Sequence, residues 1–186
     1  MKRAFDIFLS LFLLVTFSWL FVLVGILVKV SSPGPMIYNS QRVGRDGVTF
    51  TMPKFRSMRV GTPEVETDLF TGSDNYITKF GSILRKSSLD ELPQLFSVLK
   101  GDMSCVGPRP ALCTQVYLTE QRSNLGILSV RPGITGWAQV NGRDNLKDET
   151  KIELDLYYIE NWSLSLDLLI LLKTLFKFLG DRNIKH

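Results

Sequence analysis

Two adjacent carboxylates, Asp90 and Glu91, sit in the stretch Ser88-Leu89-Asp90-Glu91-Leu92-Pro93-Gln94, with Arg85 and Lys86 just before it and Lys100 just after. Neighbouring carboxylates repel, so such a pair needs a cation or a helix N-terminus close by. Pro93 suits a first helical turn, where its missing N–H would go unbonded anyway. The run from Leu92 to Leu99 predicts a helix, which puts the pair at the positive end of its dipole. An aspartate held ionised there, next to a magnesium-binding glutamate, has the chemistry to attack a phosphorus atom. The same residues also fit a capping box, in which Glu91 reaches back to the Ser88 backbone. These residues alone favour the capping box.

The rest of the inventory narrows the chemistry. The chain has 186 residues and a formal net charge of +4, enough for one domain with a modest core and suited to anionic partners. Its single histidine, His186, is the last residue, and its two cysteines are Cys105 and Cys113. That set excludes a zinc site of ordinary ligand spacing and argues against Ser-His or Cys-His nucleophile pairs. Acid–base work falls to Asp, Glu, Lys or Tyr. Two cysteines make no disulfide framework and suit a reducing compartment. Aromatics are not interleaved with basic residues in an RNA-binding pattern, so no nucleic-acid partner is expected. Lys54, Arg56, Arg85, Arg109, Arg131 and Arg143 punctuate the polar part of the chain. An arginine fork fits phosphate oxygens, and Arg109 and Arg131 lie in turns stiffened by Pro and Gly. Spacing alone supports an anion site and no more.

Several elements must position these residues. Ile7 to Val28 is almost wholly apolar, about 22 residues. As a helix it would extend about 33 Å at roughly 1.5 Å per residue, which matches a hydrocarbon core of about 30 Å. Lys2 and Arg3 precede it and Lys29 follows, so both ends ask for the cytoplasmic side. Charge and periodicity favour a simple span. The alternative is a re-entrant helix bent by Thr16 and Ser18 bonding back to carbonyls. Asp6 is spaced to pair with Arg3 at the membrane edge. Met36–Val43 and Val48–Met52 read as strands joined across Gly44-Arg45-Asp46-Gly47, a hairpin signal. Gly61–Asn75 reads as a surface loop, Ile77–Lys86 and Lys147–Trp162 as helices, and Gly101 as a helix C-cap. The last helix, about Leu164 to Leu179, is too short and too charged to span. It carries Asp167, Lys173 and Lys177 and suits either a membrane interface or core packing.

Five segments appear in order: Lys54-Phe-Arg-Ser-Met58, Ser88-Leu-Asp-Glu-Leu-Pro-Gln-Leu-Phe96, Lys100-Gly-Asp-Met-Ser104, Val106-Gly-Pro-Arg-Pro110, and Arg131 through Arg143. Together they resemble the bacterial sugar transferases, the small monotopic phosphoglycosyl transferases, from Lys2 to about Thr174. The resemblance implies an α+β, mostly helical fold. Residues 1–32 would form a membrane-embedded, re-entrant helix, and residues 33–186 a catalytic domain on the cytoplasmic face of the bacterial inner membrane, with a short β-hairpin and interfacial helices. It implies transfer of a sugar 1-phosphate from a UDP-sugar to polyprenol (undecaprenyl) phosphate, releasing UMP, as a first membrane step of glycan biosynthesis. Asp90 would be the nucleophile, forming an aspartyl-phosphosugar. Glu91, with Asp90, would hold Mg²⁺. Lys54, Arg56, Arg85, Arg109, Arg131 and Arg143 would contact phosphate or nucleotide, Arg109 and Arg85 foremost. Asp155 and Tyr158 belong to a further family-like segment and suit packing equally well. Two positions depart from the family pattern. Trp19 follows Ser18 where the helix-breaking pair is Ser-Pro, so the bend must come from Ser18, Thr16 and packing, and Pro53 stands where Tyr is common. The competing reading is a membrane-tethered module that binds anionic lipid or nucleic acid.

Overall fold

The computed structural model describes residues 1–62, 76–142 and 146–180. Arg143 and all but the start of the expected 61–75 loop lie outside these residues. The apolar N-terminal run forms two helices, α1 (Lys2–Thr16) and α2 (Ser18–Ser31), bent by 65°. No single described helix is long and apolar enough to cross a membrane, whereas this bent pair together has the length and composition. The bend falls at Phe17, whose backbone (φ −103°, ψ 16°) leaves the helical region. Ser18 Oγ donates to the Val15 carbonyl at 3.0 Å. A hydroxyl that competes for a helix carbonyl is a recognised cause of bending, so the chain turns here without proline.

Helix α1 has its polar residues inside. Lys2, Arg3, Asp6 and Ser10 fall along one face, and Asp6 is only 2% exposed. Arg3 and Asp6 do not pair with each other. Arg3 donates to the Val98 and Leu99 carbonyls (2.6 and 2.9 Å). Asp6 accepts from Ser104 Oγ at 2.9 Å and from the Cys105 N–H at 3.0 Å. Tertiary acceptors thus override the local spacing. On the opposite face Phe8, Leu11, Phe12 and Val15 are exposed. This arrangement inverts that of a surface helix in water.

The hairpin pairs β1 (Ile37–Val43) with β2 (Thr49–Phe55), from Ile37 opposite Phe55 to Val43 opposite Thr49. Asp46 (φ 56°) and Gly47 (φ 77°) supply the left-handed turn that the Asp-Gly pair predicts. Strand β2 runs three residues past the expected end at Met52. A two-stranded sheet leaves every strand an edge, so Pro53 is tolerated and Lys54 is carried into the ladder. Helix α3 (Lys79–Ser87) and a 3-10 turn (Leu89–Glu91) lead into α4 (Gln94–Lys100), which ends at Gly101 (φ 105°). Two strands of three residues, β3 (Ser104–Val106) and β4 (Gly133–Thr135), pair in parallel and were not legible as strands in the sequence. Helices α5 (Val116–Asn124), α6 (Trp137–Gly142), α7 (Asp148–Glu160) and α8 (Leu164–Gly180) complete the chain.

Three apolar clusters hold the elements together. One joins Phe50, Val98, Met103, Tyr158 and Ile170. A second joins Val24 and Val28 of α2 to Phe55 and Leu84. The third joins Ala111, Leu118, Ile127 and Ile152. Helix α8 packs into the core along one face and leaves an apolar face exposed. Ile170 and Asp167 are fully buried, while Leu168, Leu169, Leu172, Leu175 and Phe176 face outward. Asp167 accepts from Lys2 Nζ (2.6 Å), the Tyr158 hydroxyl (2.7 Å) and Trp162 Nε1 (3.2 Å), so α8 is tied to α1 and α7.

Replacing Asp6 by Ala strands the buried Cys105 N–H without an acceptor. The expected cost is about 1–3 kcal/mol, against less than about 0.5 kcal/mol for Asp46→Asn on the surface. Thermal unfolding of the two variants in the same micelles checks this, and equal melting temperatures would contradict the docking role of Asp6.

Candidate active site

Three segments converge on the carboxylate pair. Helix α3 ends with Ser88 in the left-handed region (φ 51°), where its N–H donates to the Arg85 carbonyl. Only one other described non-glycine residue, Asp46, has a positive φ. Such a conformation is costly and tends to mark a position that the surroundings enforce. The reversal at Ser88 sets Leu89–Glu91 into a 3-10 turn. The Ser88 side chain makes no cap bond, and the Glu91 carboxylate is engaged elsewhere, so the capping box does not form.

Glu91 Oε1 accepts from Lys54 Nζ of β2 at 2.8 Å and from Arg109 Nη2 of the 107–110 turn at 3.1 Å. Burial alone would raise the Glu91 carboxyl, but Lys54 and Arg109 more than offset it and hold it at about 2. Asp90, 8% exposed, goes the other way. Burial pushes its carboxyl up to about 6, and neighbouring Glu91 adds to this, against the pull of Lys54, Arg85 and Arg109. The two carboxylates therefore differ in kind. One is a fixed anion, and the other is an unusually basic oxygen in a dry setting. Pairs of acids driven apart in this way are a signature of divided chemical roles.

The expected anion-binding residues divide between this site and other places. Lys54 and Arg109 are in the site. Arg85, in the last turn of α3, acts on Asp90 through its charge. Arg56 is buried and donates to the Ser32 carbonyl (2.7 Å) and Ser32 Oγ (2.9 Å), which ties the hairpin to the end of α2. Arg131 Nε donates to the Gly101 carbonyl at 2.7 Å, at the far end of α4 from the pair. There it lines a cavity of about 350 Å³ together with Lys2, Arg3 and Trp162. Asp155 and Tyr158 are buried, and neither bonds the carboxylate pair directly. Asp155 pairs with buried Arg122, and the Tyr158 hydroxyl bridges Lys2 and Asp167. Arg122, which sequence reasoning did not single out, donates to the Arg109 carbonyl at 2.9 Å. No local pattern links positions 109, 122 and 155.

Among the described residues no group of three or more His, Cys, Asp or Glu side chains is placed to hold a metal. Asp90 and Glu91 offer two hard oxygen donors. That is the donor set of a magnesium ion that keeps waters and binds substrate phosphates, rather than of an all-protein cage. The residues fit that ion.

The chain matches the model of the family described as bacterial sugar transferase over residues 1–181. It is 42% identical to the uncharacterized sugar transferase EpsL of Bacillus subtilis, over 100% of this chain and 91% of that protein. It is 38% identical to the exopolysaccharide production protein ExoY of Sinorhizobium fredii, over 94% of this chain and 83% of that one. It is 43% identical to the UDP-glucose:undecaprenyl-phosphate glucose-1-phosphate transferase of Escherichia coli, over 95% of this chain but only 40% of that longer protein. A match along nearly the whole chain, to relatives both of similar and of greater length, establishes that this protein belongs to the bacterial sugar transferase family.

Proposed function

We propose that this protein transfers a sugar 1-phosphate from a UDP-sugar to undecaprenyl phosphate through a covalent intermediate on Asp90. The observation that carries the reading is the unequal carboxylate pair: a basic, buried Asp90 beside a Glu91 held ionised by Lys54 and Arg109. Relatives whose names specify this reaction, with glucose or N-acetylgalactosamine as the sugar, support the substrate class. An Asp90 oxygen attacks the phosphorus that bears the sugar. The bond from that phosphorus to the bridging oxygen breaks, and its electron pair leaves with UMP. An oxygen of undecaprenyl phosphate then attacks the same phosphorus, and Asp90 departs as a carboxylate. The products are undecaprenyl diphosphate sugar and UMP.

Lys54 and Arg109 share one Glu91 oxygen and flank Asp90, so they are the natural partners of the diphosphate, with Arg85 behind them. Asp90 and Glu91 would hold Mg²⁺, which when bound screens the charge of the diphosphate. Arg143, beyond the described residues, stays a candidate nucleotide contact. The bent α1–α2 pair, apolar outside, supports a re-entrant helix seated in inner-membrane lipid with the catalytic part on the cytoplasmic face. One substrate is soluble and the other is confined to the bilayer. A covalent intermediate lets each arrive in turn.

Asp90→Asn should lower UMP release by at least about 10³-fold, and Glu91→Gln should raise the Mg²⁺ concentration needed for half-maximal rate. Normal turnover by Asp90→Asn, or no mass added at Asp90 after donor exposure, would sink the covalent route and favour a binding module. Because the Asp90 carboxyl is raised, the attacking form is lost on acidification, so the rate should fall as pH drops through about 6. Lys54→Met removes a cation that favours the ionised form, and should move that acidic limb to higher pH. Cysteine labelling at position 2 in inverted and right-side-out vesicles reports topology, and an outward N-terminus would exclude the re-entrant arrangement.

A further inference from the structure

The turn that carries Arg109 is Gly107-Pro108-Arg109-Pro110. Two prolines remove two N–H donors, so the segment cannot bond to itself and its carbonyls must find donors elsewhere. Each of four consecutive carbonyls does so from outside the turn. Pro108 accepts from the Gly133 N–H of β4 at 2.9 Å, and Ala111 from the Val43 N–H of β1 at 3.0 Å. Pro110 accepts from Arg42 Nη1 at 3.5 Å. The Arg109 carbonyl takes its bond from the Arg122 guanidinium.

That last donor differs from the others. Arg122 on α5 is 4% exposed, and its second η nitrogen binds Asp155 on α7, which is 1% exposed. A cation this buried needs its counter-ion, and a well-packed apolar pair would stabilise the fold as well or better. What an ion pair supplies and apolar packing does not is direction: a planar fork aimed at two acceptors at once. One end of the fork is fixed by Asp155. The other fixes the backbone of the residue whose side chain reaches Glu91 Oε1.

From this geometry we infer that Arg122 and Asp155 are positioning residues for the transfer reaction, a buried strut that sets where the Arg109 guanidinium stands. This rests on the proposed role of Arg109 at the carboxylate pair. Lysine at position 122 keeps the charge and the pairing with Asp155 but lacks the fork, so the Arg109 carbonyl loses its donor while the fold keeps its ion pair.

The test is a double-mutant cycle on the full chain in micelles, with UDP-sugar and a short polyprenol phosphate. kcat and KM for UMP release are measured for wild type, Arg122→Lys, Arg109→Ala and the double variant, with thermal unfolding followed in parallel. Arg122→Lys alone should lower kcat by about tenfold, as expected for a displaced catalytic contact. In the Arg109→Ala background it should change kcat by less than about twofold, because the group it positions is gone. A merely structural loss would reduce kcat by the same factor in both backgrounds, and losses that multiply would overturn the strut. Wild-type kcat in Arg122→Lys would overturn it equally. Should Arg122→Lys unfold at assay temperature, Asp155→Glu, which keeps the counter-ion but shifts the fork, takes its place in the same cycle with the same expectations. If Arg109→Ala alone is silent, the proposed role of Arg109 falls and the strut with it, whereas multiplying losses remove the strut and leave the site reading standing.

Discussion

Glu91 Oε1 is the point at which three otherwise separate segments meet. Lys54 arrives from the hairpin, Arg109 from the proline-bounded turn, and Glu91 itself from the 3-10 turn after the strained Ser88. In a setting this dry, one anion between two cations keeps its charge, and the carboxylate beside it carries the cost of desolvation. The asymmetry of the pair is thus a product of tertiary convergence. Either carboxylate alone on a surface helix would titrate in the ordinary range.

A second constraint sets where the site stands relative to the exposed apolar faces of α1, α2 and α8. Asp6 and Ser10 of α1 are buried against β3, Arg3 bonds the last carbonyls of α4, and Lys2 meets Asp167 of α8. The short α4 therefore has the carboxylate pair before its first residue and the root of the N-terminal helix at its last. A rigid helical turn or two, about 10 Å long by its residue count, thus links the pair to α1. The exposed apolar faces of α1, α2 and α8 flank that unit.

Local patterns were readable where the physics is local. The Asp-Gly hairpin, the Gly101 cap, the spacing of α7 and the paired carboxylates all came from neighbours within a few positions. Lys54 and Arg109 could be named as cations, and the structure gathers both at Glu91. Arg56 and Arg131 could be named on the same grounds, yet in the structure they bind the Ser32 and Gly101 carbonyls rather than Glu91, because an arginine's partner depends on what the fold brings to it. The Arg3–Asp6 spacing suggested a pair, and buried backbone acceptors and donors outcompeted it. The three-residue strands β3 and β4 offer too little pattern to read. The chain bends at Phe17 without a proline, beside the Ser18 hydroxyl, one of the two residues that the sequence offered for a bend.

The contacts that seat α1 are distant in sequence. Asp6 finds its partners at residues 104 and 105, and Lys2 finds its own at 158 and 167. A ribosome delivers the N-terminus first, so this greasy segment leaves the exit tunnel well before its polar stripe has anything to bind. Through most of synthesis that stripe has none of these partners. The Lys2–Asp167 contact can form only after α8 has been made, so α1 gains its full set of partners late in synthesis.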